Sequence, residues 1–151
     1  MEPFSLENRV DGLIEARIFR LPDLETADSY AMTLADLATR LSARHAPVLC
    51  ADHRPVVIYR QEVADRLAAL FAAMNSRLTR VAVVVSRSNA TLAMQLERIV
   101  REAKYPSRRV FYEANEAAVF LAAAIAPAAA ERSRSFLREW SARTTDSPSK
   151  S

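Results

Sequence analysis

Val81-Ala82-Val83-Val84-Val85 is the stretch that decides the fold: five consecutive apolar residues, four of them valine, lie between Arg80 and Ser86. A run of this kind, β-branched and without polar alternation, makes a strand with both faces covered. Such a strand needs a layer above it and another below, and the neighbouring sequence supplies helices. Upstream, Val48-Leu49-Cys50-Ala51 is a second continuous apolar run, which ends in Asp52-His53-Arg54-Pro55, the pattern of a buried parallel strand entering a loop. Between the two runs, residues 61–75 place Val63, Leu67, Leu70, Phe71 and Met74 on one helical face. Downstream, Ser86-Arg87-Ser88-Asn89 reads as a loop and cap. Residues 90–104 then carry Leu92, Leu96, Ile99 and Ala103 at helical spacing, and Tyr105-Pro106 stops them. Residues 108–112 predict a short last strand.

At the amino end, Phe4, Leu6 and Val10 precede Asp11-Gly12, and Ile14, Ala16 and Ile18 alternate with Glu15 and Arg17 after it. Asp-Gly between such segments predicts a hairpin with a type I′ turn. Leu21-Pro22-Asp23 breaks the second strand. Thr26 or Asp28 is then expected to cap a helix with Tyr30, Leu34, Leu37 and Leu41 inward, ending near His45 before Pro47. At the carboxyl end, Asn115 is expected to cap a helix bearing Phe120, Leu121, Ala124 and Ile125, which Pro127 ends or kinks. Residues 128–142 predict a final helix with Phe136, Leu137 and Trp140 as its apolar stripe.

The order predicts an α/β fold: an N-terminal β-hairpin, then alternating helices and strands in a mostly parallel mixed sheet of about five strands, plus an extra C-terminal helix. The expected organisation is a domain over residues 1–126, a helix over 127–143 packed on it or at an interface, and a disordered polar tail over 144–151. With 151 residues and 16.8 kDa, one core suffices. Half the residues are hydrophobic and about a quarter charged, which fits neither a disordered chain nor a membrane protein. No apolar run approaches a membrane span, and residues 1–13 carry acids where a secretory leader has bases, so a cytoplasmic location is expected. The lone Cys50 reads as a small buried hydrophobe, and the lack of a Cys/His cluster predicts no metal site and no cofactor held by one. Gly12 is the only glycine, which excludes phosphate loops and dinucleotide fingerprints that need several.

The element order, the Asp at the end of the third strand, and the closing pattern Arg109-Val110-Phe111, Glu113, Glu116-Ala117 and Phe120-Leu121 together resemble the STAS superfamily. The chain is most similar to the SpoIIAA-like branch, in which a short R-x-F strand leads into a last helix carrying E-A and a W-L or F-L pair. The resemblance covers residues 4–126 and implies a bacterial regulatory module. In phosphorylated members of that superfamily the switch serine follows the third strand, whereas this chain reads Asp52-His53-Arg54-Pro55-Val56-Val57-Ile58-Tyr59 there, without Ser or Thr. Ser86 and Ser88, after the next strand, are the candidate phosphorylation sites, set against the plain reading of Ser88-Asn89 as a helix cap.

Open α/β sheets bind ligands and partners at the carboxyl ends of their strands. The candidate partner- or ligand-binding residues are therefore Asp52, His53, Arg54, Val57, Ile58, Tyr59, Ser86, Arg87, Ser88 and Asn89. Asp52, His53 and Arg54 could be drafted as acid, base and anion clamp. Consecutive residues seldom converge on one substrate, however, and no orienting partner can be named, so no catalytic residue is assigned. The preferred reading has Asp52 capping the loop, with His53 and Arg54 in solvent. His45 reads as a partner for a helix dipole. Trp140 is either core or an interface anchor.

The net charge of +3 is unevenly distributed: residues 1–75 hold 8 bases and 11 acids, residues 76–109 hold 8 and 2, and residues 110–151 hold 5 and 5. Arg77, Arg80, Arg87, Arg98, Arg101, Lys104, Arg108 and Arg109 make the middle segment basic. Only Tyr105 is interleaved with them, so a nucleic-acid site is disfavoured against a solvated or partner-facing surface. The expected function is therefore non-enzymatic: a STAS-like regulatory or scaffolding module that recognises a protein partner, a second copy of itself included. The alternatives are a small-ligand domain, for a nucleotide or hydrophobic ligand, and a nucleic-acid-binding protein using residues 76–109.

Overall fold

The computed structural model describes residues 2–41 and 45–145, with side chains through Trp140. Five strands form one sheet in the order β1 (Phe4–Val10), β2 (Leu13–Ile18), β3 (Val48–Asp52), β4 (Val81–Val84) and β5 (Arg108–Phe111). β1 and β2 are antiparallel, and β2 to β5 run parallel. The expected α/β class, its N-terminal hairpin and its mixed five-stranded sheet are therefore the observed ones.

Alternation along each strand sorts residues between two layers. Ile14, Ala16, Ile18, Leu49, Ala51, Val81 and Val83 face three helices: α1 (Leu24–Leu41), α2 (Gln61–Met74) and α3 (Ala90–Ala103). A short 3-10 turn, Asn75–Arg77, follows α2. The opposite face presents Leu13, Val48, Cys50, Ala82 and Val84 to α4 (Ala114–Ala122) and α5 (Pro127–Thr145). Phe136 and Leu137 are buried there, so these two residues of the last helix's apolar stripe belong to the second core. No helix among the described residues is long and apolar enough to cross a membrane.

Several local expectations are corrected. The hairpin turn is not type I′, because Gly12 alone takes a positive φ, +86°, and Asp11 does not. The pairing slips between Glu7 and Val10, where the Asn8 side-chain amide donates to the carbonyls of Val10 and Leu13 at 2.8 and 2.7 Å. This bulge supplies the twist that a two-residue primed turn would otherwise have provided. α1 is capped by Asp23, whose Oδ1 accepts from the Thr26 backbone N–H and hydroxyl, instead of by Thr26 or Asp28. Those bonds hold the Asp23 carboxyl below its ordinary pKa. Glu113, not Asn115, stands at the start of α4 and makes no side-chain cap. α5 begins at Pro127, where a missing N–H costs nothing, and continues through Thr145 instead of ending at residue 142. The rest of the expected tail, residues 146–151, lies outside the described residues.

Candidate functional site

Both strand-end loops open where β3 and β4 finish, and they are joined to each other. Asn89 caps α3 by accepting from the Leu92 N–H at 3.1 Å, while its Nδ2 donates to the carbonyls of Val56 (3.3 Å) and Val57 (2.9 Å). Gln95, one turn into α3, grips the backbone of Tyr59 twice: its Oε1 accepts from the Tyr59 N–H at 3.0 Å and its Nε2 donates to the Tyr59 carbonyl at 2.7 Å. Val56 and Tyr59 are buried on either side of Val57 and Ile58, which remain 78% and 54% exposed. Two aliphatic side chains are thus held outward on a segment whose backbone is bonded to α3 and its cap at Val56, Val57 and Tyr59.

His53 and Arg54 are not in solvent. His53 is fully buried, with its Nδ1 2.8 Å from the Tyr59 hydroxyl and its Nε2 without a hydrogen-bond partner. Burial drives its pKa down from 6.5 to about 4; Asp52 opposes the shift and Arg108 reinforces it. Burial likewise raises Tyr59 well above the ordinary phenol range. The pair is neutral and sealed. Asp52 does turn the loop, with Oδ1 accepting from the Arg54 N–H at 3.1 Å, but its main partners are guanidinium groups. Arg54 Nε reaches Oδ1 at 2.8 Å, and Arg17 Nε reaches Oδ2 at 3.0 Å.

Ser86 and Ser88 are hydrogen-bonded to each other through their hydroxyls at 2.8 Å, and exposed Arg87 pairs with Glu113 and lies over the Tyr112 ring. The cap belongs to Asn89, as the plain reading of Ser88-Asn89 has it. Cys50 is buried, and its thiol is pushed up by the loss of water. His45 is exposed beside residues 42–44, so the expected helix end lies outside the described residues.

A second constellation lies on the opposite face, beneath α5. Glu15 and Arg17 of β2 share the face of Leu13, and α5 covers them. Arg132 forms a two-pronged pair with Glu15, Nε to Oε2 at 2.8 Å and Nη2 to Oε1 at 3.0 Å, and also meets Glu139 at 3.0 Å. These carboxylates raise the Arg132 pKa, the Glu15 hydrogen bonds most of all. Arg17 Nη2 donates to the Phe136 carbonyl at 2.6 Å, and its guanidinium lies 4.0 Å from the Phe136 ring centre. Arg54 Nη2 donates to the Leu137 carbonyl at 2.8 Å. Between this helix and the β1–β2 surface opens a cleft of about 730 Å³, lined by Ser5, Arg17, Phe19, Pro55, Phe136 and Trp140 among others. Of the ten predicted strand-end residues, none lines it. Trp140 does, beside Phe19 at 6.3 Å between ring centres.

The chain matches no family model, no curated protein and no solved structure. The signal that could have exposed the second constellation was in α5: Arg132, Phe136, Glu139 and Trp140 stand at i, i+4, i+7 and i+8, a single helical face on which charge and aromatic residues mix. A mixed face of this kind requires a charged floor to pack on, and Glu15 and Arg17 provide it.

Proposed function

We propose that the chain is a non-enzymatic regulatory or scaffolding module of the STAS-like, SpoIIAA-like kind. It acts in bacterial signalling in the cytoplasm by recognising a protein partner at its strand-end edge. The observation that carries this reading is the outward presentation of Val57 and Ile58 on a loop fastened to α3 by Asn89 and Gln95. A surface fixed before binding loses little conformational entropy when a partner covers it. Arg87 stands on the adjoining loop with an exposed guanidinium, a polar neighbour for an apolar pair.

The residues an enzyme would draw on support the same reading. His53 is neutral, fully buried and engaged with Tyr59, and Asp52 is saturated by two arginines. Neither meets solvent, so neither can reach a substrate without opening the fold. The element order, hairpin first and parallel strands after it, is the one the STAS resemblance implies.

Native mass spectrometry of the protein captured from its own host's lysate tests the proposal. The wild type is expected to carry a second protein mass, whether its own or another chain's. The Ile58→Asp/Arg87→Asp variant is expected to lose that mass while keeping its melting temperature within a degree or two, since both sites are exposed. Retention of the same complex by the variant would overturn the strand-end reading.

A further inference from the structure

We infer that the cleft between the β1–β2 surface and α5 binds a small aromatic carboxylate, with the carboxylate on Arg17 and the ring against Phe19 and Trp140. This site is distinct from the strand-end edge and does not rest on the function proposed there.

Its size is the first argument. A volume of about 730 Å³ falls within the range of small-molecule sites. The second is the state of Arg17, which is only 7% exposed yet lines the cleft. Its Nε bonds Asp52 and its Nη2 bonds the Phe136 carbonyl, whereas its Nη1 has no hydrogen-bond partner among the described residues. Arg17 lines the cleft, and Nη1 is the guanidinium nitrogen that neither Asp52 nor the Phe136 carbonyl engages. A buried cation with one edge unused, fixed by a carboxylate, a carbonyl and the face of Phe136, is a donor set in advance for an anion.

The carboxylates nearby do not reverse this sign. Glu15 is gripped on both oxygens by Arg132, Glu7 pairs with Arg9, Glu139 at the half-exposed rim reaches Arg132, and Glu2, the remaining lining acid, is exposed to solvent. Asp52 is shared by Arg17 and Arg54. The inner acids are thus answered by arginines, and the unused hydrogen-bonding capacity at the floor belongs to a donor. The walls select the rest of the ligand. Phe19, Phe136 and Trp140 supply flat apolar surface, with Trp140 also 6.0 Å from the Arg17 guanidinium. A planar ring carrying one carboxylate matches both parts.

Trp140 is the only tryptophan, so its emission reports on this cleft alone. The probe is phenylacetate, with phenylacetamide as its neutral isostere and Trp140 excited at the red edge of its absorption, where both are transparent. Phenylacetate is expected to change the emission saturably with a Kd of about 1 mM or tighter, and phenylacetamide to bind about tenfold more weakly or not at all. Because Arg17 substitutions endanger the fold, the blocking variant is Ser5→Phe, which fills the cleft from β1 and leaves the arginines intact. It should abolish the response while keeping the melting temperature of the parent. No saturable change with phenylacetate, equal affinity for the amide, or full binding by Ser5→Phe would each overturn the assignment.

Discussion

His53 couples the fold to pH through a single proton. Its folded pKa of about 4 lies below the ordinary 6.5, because the imidazole is buried against Tyr59 with no acceptor or solvent at Nε2. Above 6.5 neither the folded nor the unfolded chain protonates it, and its contribution is constant. As the pH falls from 6.5 toward 4, the unfolded chain takes up a proton that the folded chain refuses, so stability declines across this window and levels off below it. The full loss is on the order of 3 kcal/mol. Urea denaturation at successive pH values across this window should show the decline in the wild type and a flatter profile in His53→Gln. Equal slopes in the two proteins would remove His53 as the cause. The same burial explains why this residue cannot serve as the base that its position beside Asp52 suggests in the sequence.

α5 is attached to the sheet by a buried ion pair as well as by apolar contact. Glu15 is almost wholly buried, and its charge is tolerable only because Arg132 meets both oxygens. Arg132→Met should therefore cost about 3 to 5 kcal/mol, since it leaves a carboxylate in the interior without a partner. Adding Glu15→Leu should recover most of that loss, because two apolar residues of similar volume can replace a buried pair at little cost. Chemical denaturation of the two single variants and the double variant closes the cycle. If the double variant is no more stable than Arg132→Met, the pair is not what fastens the helix. The elements themselves were legible. β4 announced itself by its unbroken apolar run, α2 and α3 by their periodicity, and the Phe136–Leu137 stripe by its spacing. β2 was only half legible: alternation located its apolar face but gave Glu15 and Arg17 no partner, because no local pattern shows that a helix more than a hundred residues later will cover them. For the same reason the second constellation escaped notice. The loop residues Val57, Ile58 and Asn89 were legible as candidates because strand ends can be located from sequence. That Asn89 and Gln95 fasten the loop depends on tertiary geometry.

For the molecule as a whole, the basic segment of residues 76–109 poses a question of charge distribution, which the fold answers by scattering it. Arg108 is buried against Phe71, donating to the Phe71 carbonyl and Asn75. Arg80 and Arg109 lie over Phe120 of α4, Arg98 pairs with Asp65 and Glu102, and Arg87 pairs with Glu113. Five of the eight cations are thus spread over four segments, with Arg108 and Arg109 sharing β5, and four of the five are engaged with an acid or a carbonyl. A protein that neutralises several phosphates releases as many counterions, so the logarithm of its affinity falls steeply with the logarithm of salt concentration. Scattered cations can engage only about two phosphates at once. Fluorescence anisotropy with a short DNA duplex and a single-stranded RNA, from low to physiological salt, should accordingly give weak binding with a slope of about −2 or shallower. A slope of about −6 would require six or so convergent cations. That result would mean the arginines leave their acids and aromatic rings to form a common face, and it would replace protein recognition with nucleic-acid binding as the reading of this chain.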